Sequence, residues 1–127
     1  MKTRIAAVLL VLFSTAFLAV AQNPATLVLA VPFPFYVSGK LLPAGSYRIQ
    51  ASANQNEITV SNGNGKESVM AIVTTRLSSS SEDKDSAVFD VSGNDHYLSE
   101  IYVQGEDGYL IKGSGERHTH MRVKTKK

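Results

Sequence analysis

An all-β domain behind an N-terminal signal helix is the fold class predicted by this 127-residue sequence. Three observations predict it. Apolar residues recur at every second position through most of the chain, which in a strand places them on one face. Glycine, asparagine, aspartate and proline punctuate these runs at short intervals, as turns between short strands require. No stretch after the leader sustains a helical period, and no loop is long enough to hide a crossover helix. Together they describe an antiparallel meander of about seven or eight strands, forming a sandwich or a partly open barrel.

The leader comes first. Lys2 and Arg4 precede an apolar run from Ile5 to Phe13, a second apolar stretch reaches Val20, and Ala19-Val20-Ala21 is a small-x-small site. Cations, a short apolar core and small residues at the cut are the three parts of a secretory signal. The run is short for a membrane span, which needs about 20 apolar residues. Cleavage after Ala21 is therefore expected, leaving residues 22–127 as a single β domain with no membrane span. Such a product would reach the periplasm or the cell exterior.

The exported domain has to stabilise itself by apolar burial alone, because the sequence holds no cysteine. The formal charge of +2 is carried by the leader. Without Lys2 and Arg4, acids and bases balance, which argues against a nucleic-acid partner. Their distribution is uneven. Acids crowd between Glu82 and Asp107, with Lys84 the lone base there, and Arg117 to Lys127 contains bases without an acid.

Thr26 to Ser38 is the longest strand signal. Leu27, Leu29, Val31, Phe33, Phe35 and Val37 share one parity and form an inward face. Pro32 and Pro34 share the other parity and remove donors from one side only, which reads as an edge strand. Gly39 to Gly45 reads as a connection built on Pro43 and glycine. Tyr47, Ile49 and Ala51 then alternate with Arg48 and Gln50. Ile58 and Val60 mark a short strand, Asn62-Gly63-Asn64-Gly65 a hairpin turn, and Val69 to Leu77 the returning strand. Ser78 to Asp85 is a solvated loop. Ala87, Phe89 and Val91 alternate next. Ser92 to Asp95 turns, Tyr97 to Val103 runs back, Gly105 to Gly108 turns, and Tyr109 to Ile111 closes the series.

The tail, 117–127, reads equally as a basic last strand or as a frayed terminus. As a strand it would set Thr119, Met121, Val123 and Thr125 on one face. His118, His120, Arg122, Lys124 and Lys126 would occupy the other.

Val31-Pro32-Phe33-Pro34-Phe35-Tyr36-Val37, then Gly39-Lys40, Leu42-Pro43-Ala44-Gly45 and Tyr47-Arg48-Ile49, resemble a group of small exported bacterial proteins. That group carries a VPF-x-F-x-V-x-GK-x-LPAG-x-Y-x-V signature behind a signal peptide. The segment His96 to Tyr102 is also similar to theirs. The resemblance implies export and a β domain, and brings no established activity with it. Leu42-Pro43-Ala44-Gly45-Ser46-Tyr47 is in addition similar to the L-P-x-G-x-Y turn of transthyretin-like and collagen-binding-B-type sandwich modules, which implies a sandwich.

The residues point to no catalytic grouping. Cysteine is absent, no G-x-S-x-G elbow occurs, and Ser78 to Ser81 lie in a polar run unsuited to a rigid nucleophile. Asp90, Asp95, Glu100, Glu106 and Asp107 sit mostly in or beside turns, where carboxylates are ordinarily solvated. No cofactor is implied. The one metal-like spacing is Glu116-x-His118-x-His120, whose members share a face in a strand, with His96 a candidate fourth ligand. The adjoining bases disfavour a cation. Arg117, Arg122, Lys124 and Lys126 are candidates for contact with an anionic surface, or for protecting a sheet edge. Phe33, Phe35, Tyr47, Phe89, Tyr97 and Tyr109 would line an apolar cavity or simply fill the core. The expected function is therefore a non-enzymatic interaction module of the cell envelope or exterior, binding an envelope component or another protein. The alternative is a small β-barrel that binds an apolar ligand.

Overall fold

The computed structural model describes residues 26–78, 84–114 and 117–125. The expected leader and its cleavage site, part of the serine-rich loop, Glu116 and Lys126 lie outside these. Among the described residues there is no helix, and so none long and apolar enough to cross a membrane. Ten strands follow in chain order: β1 (Thr26–Val31), β2 (Phe35–Val37), β3 (Lys40–Leu42), β4 (Gly45–Ala51), β5 (Glu57–Asn62), β6 (Ser68–Leu77), β7 (Ser86–Ser92), β8 (Asp95–Tyr102), β9 (Gly108–Ile111) and β10 (Thr119–Lys124).

The strands form one open mixed sheet, in the order β1-β4-β5-β6-β9-β8-β2-β3, with β7 on the other side of β8 and β10 beyond β7. Two features depart from the expected antiparallel meander. Sequence neighbours are not always sheet neighbours, since β1 pairs with β4 and β6 with β9. One pair is parallel, β2 against β8 through Tyr36 and Tyr97. Strand number also exceeds the expectation, for a local reason. The run from Thr26 to Ser38 is two strands, because Pro32 and Pro34 interrupt it between β1 and β2. The edge-strand expectation, drawn from the prolines, holds for β1, which itself contains none, and fails for β2, which lies between β8 and β3. The supposed connection after Gly39 contains β3. Ser38 (φ 50°) and Gly39 (φ 81°) make a two-residue turn of the mirror-image type that matches strand twist.

Inward parity survives the break. Leu27, Leu29, Val31, Phe35 and Val37 are all buried, while Val28 and Ala30 face out. The two ends of the sheet share one apolar interior. Phe35 of β2 packs edge-on against Tyr47 of β4, with ring centroids 5.0 Å apart, and against Phe89 of β7 at 5.4 Å. A flat sheet would hold β4 and β2 far apart, so the sheet doubles back on itself. β6 carries the bend: Ser68 to Ser61 is the start of its ladder with β5, and Val73 to Leu77 pair with β9, with a register shift between Val73 and Thr75. The turn before β4 is fixed by its own side chain, since Tyr47 donates its hydroxyl hydrogen to the Pro43 carbonyl.

Candidate functional site

On β7, Ser86, Ala87, Val88, Phe89 and Asp90 are all buried in succession, so this strand is covered on both faces. Ala87 and Phe89 enter the shared interior. Ser86, Val88 and Asp90 share the other face and are buried there, Ser86 beneath Arg122 and Asp90 against Gly113 and Ser114. The register with β10 sets His120 opposite Asp90, Arg122 opposite Val88 and Lys124 opposite Ser86. Directly opposed residues share a face. The polar parity of β10 therefore lies over the outside of β7, while Val123 packs against the core from the other parity.

Asp90 is 3% exposed. Its Oδ2 accepts a hydrogen bond from the Ser114 backbone N–H at 3.1 Å. That approach depends on Gly113, because a Cβ there would lie 2.2 Å from Oδ2. Its Oδ1 is buried and has no hydrogen-bond partner. His120 Nδ1 stands 3.1 Å from Oδ1 and His118 Nε2 3.5 Å, close enough for charge attraction but not aligned as donors. The two imidazoles meet edge to face, 4.9 Å between centroids. A carboxylate oxygen held out of water without a partner is costly, and it marks the position as one to be explained.

The floor of the site is set by a bulge. Val88 pairs with Glu100 and Phe89 with Leu98, so Ser99 is an extra residue on β8. The shift lets Leu98 and Ile101 both point inward and turns Glu100 and Tyr102 out beside Arg122. Arg122 donates to Ser86 Oγ at 2.8 Å and lies over the Tyr102 ring at 5.0 Å. Tyr102 donates its hydroxyl hydrogen to Glu100 Oε1 at 2.7 Å. Burial, reinforced by that bond and the Glu100 charge, pushes the Tyr102 phenol up to about 12, against a smaller lowering from Arg122. Above this floor opens a cleft of about 530 Å³, lined by Asp90, Ser99, Lys112, Ser114, His118 and His120 among others.

The sequence-derived candidates fall in different places. His118 and His120 come together, and Glu116 lies outside the described residues. His96 stands on the opposite face of the sheet, stacked on Phe33 at 3.9 Å, so it is not a fourth ligand to the pair. Arg117 and Lys124 are exposed, Arg122 is engaged as above, and Lys126 lies outside the described residues. Phe35, Tyr47, Phe89 and Tyr109 fill the interior. Phe33 is half-buried and packs edge-on against Phe89. Tyr97 faces out and stacks on Tyr36, 5.0 Å between centroids. That pair borders an outer groove of about 690 Å³ with Met70, Ile72 and Lys112. The member that sequence reasoning missed is Asp90, which the pattern set beside a turn as a solvated acid. Its alternation with Phe89 placed it on the outer face, but only the pairing with β10 and the fold of residues 112–114 bury it there.

Compared with protein-family models, with curated proteins and with solved structures, the chain matches none of them.

Proposed function

We propose that this chain is an exported, non-enzymatic β domain of the cell envelope or exterior that acts by binding, and that the cleft around Asp90 is its binding site. The observation that carries the choice of site is the buried Asp90 carboxylate, one oxygen of which has no hydrogen-bond partner beside two imidazoles. A carboxylate oxygen held out of water without a hydrogen bond adds nothing to the apolar interior, so a ligand that engages it is its simplest compensation. Export is supported by the tripartite leader and by the resemblance of the Val31 to Ile49 region to small exported proteins. A sandwich-like or half-barrel closure of the sheet is supported by the ring contacts of Phe35 with both Tyr47 and Phe89. Binding rather than catalysis is supported by the lack of a nucleophile motif and of cysteine in the sequence.

A screen of small polar fragments by backbone-amide NMR tests the site. Shifts are expected to gather at Asp90, Ser99, Lys112, Ser114 and His120, with no turnover of generic hydrolase substrates. Robust turnover would overturn the non-enzymatic reading. A second reading, an apolar ligand, is favoured by the groove beside Tyr36, Met70, Ile72 and Tyr97, whose volume lies in the range of small-molecule sites. Apolar fragments shifting Met70 and Ile72, with Asp90 silent to every fragment, would move the site there.

A further inference from the structure

We infer that the ligand of this cleft is a divalent transition-metal ion of the zinc class, held by Asp90 Oδ1, His118 Nε2 and His120 Nδ1. The inference rests on the reading of the cleft as the binding site and names what fills it. The three side chains offer one carboxylate oxygen and two imidazole nitrogens, all within 4.8 Å of one another. Bond lengths of about 2.0–2.1 Å to such donors give a tetrahedron with edges of about 3.3 Å. The separations from Oδ1, 3.1 and 3.5 Å, bracket that edge. The remaining adjustment falls to His120, whose side chain is 60% exposed and has room to swing.

Two further observations point the same way. The Oδ1 atom is buried, without a hydrogen-bond partner, and lies within 3.5 Å of a nitrogen of each ring. The other carboxylate oxygen is fixed by the Ser114 N–H, the kind of outer partner that orients a ligating acid. Donor chemistry selects the ion. Imidazole with a single carboxylate suits zinc, cobalt, nickel or copper, whereas magnesium and calcium call for oxygen donors. Opposing the site are the cations Lys112, Arg122 and Lys124. Arg122 is tied back over Tyr102 and to Ser86, and the charge of an exposed lysine is largely screened beyond about 8 Å at physiological salt. Three protein donors with an exposed side leave the remaining positions to water or to a group from a partner.

Titration of the purified domain with zinc chloride, followed by backbone-amide NMR and calorimetry, tests the inference. Shifts are expected around Asp90 and from His118 to Arg122, with a dissociation constant well below about 1 mM and no response to magnesium. The exposed His120→Ala is chosen because it leaves the core untouched, and Asp90→Asn because it keeps an acceptor for Ser114. Each is expected to weaken zinc at least about tenfold. Binding weaker than about 1 mM, shifts centred elsewhere, or an unchanged affinity in His120→Ala would overturn the ion. If polar fragments still shift the cleft when zinc does not, the ion alone falls; silence to both overturns the cleft as well.

Discussion

At the scale of single residues, the chemistry of the outer face is decided by which polar groups are held out of water. Tyr102 is the measurable case. Its phenol is raised by burial first and by Glu100 second, so the fold favours the neutral form. The sign follows from linkage. A folded value of about 12, above the ordinary tyrosine value of 10.0, gives stability that is complete below the unfolded value and is lost as pH rises from 10 towards 12. Titration followed at the tyrosinate absorbance, in wild type and Tyr102→Phe, is expected to show one late step missing from the variant. Burial also raises Tyr47 and Tyr109, so late steps remain in the variant, and an unchanged number of them would mean that the Tyr102 phenol is not raised. Asp90 shows how far such residues are legible. Its parity opposite Phe89 is plain in the sequence, but its burial comes from Gly113 and Ser114, which lie far along the chain. His118 and His120 were visible as a pair because two residues two apart share a strand face.

At the scale of elements, local alternation identified most strands and missed two boundaries for physical reasons. Leu27 to Val37 keep one parity without interruption, so the pattern reads as one strand. The prolines break the ladder without breaking the side-chain alternation, and the pattern follows only the latter. β3 was hidden because its three residues are too few for a period to show, and its partner is only a turn away. The Ser38-Gly39 turn that makes it has positive φ at both residues. Gly39 has open space around it, so an alanine there is opposed by backbone strain alone. Gly39→Ala is expected to cost about 1–2 kcal/mol, measured by urea unfolding. A cost near zero would show that the turn has another conformation. The bulge at Ser99 was equally hidden, since Tyr97 to Val103 alternates only on either side of it.

At the scale of the whole molecule, pairing across the chain accounts for what local pattern could not supply. The sheet order, the parallel contact of β2 with β8 and the return of β10 onto β7 are non-local, and no periodicity encodes them. Their consequence is a division of labour between faces. The inner face absorbs Phe35, Tyr47, Phe89 and Tyr109 into one apolar interior shared by both ends of the sheet. The outer face of β7, β8 and β10 carries polar groups around Val88 and Tyr97, with Asp90 beside His118 and His120. β1 and β10 are not sheet partners, and between them lies a gap of about 390 Å³ bordered by Val28, Ala30, Asp85 and Thr125.

That division is tested most directly by an aromatic NOE spectrum of the folded domain. The expected result is close contact of the Phe35 ring with Tyr47 and Phe89, of His96 with Phe33, and of His118 with His120. Contact between His96 and either of those two histidines, or a Phe35 ring with no partner from β4 and β7, would contradict it.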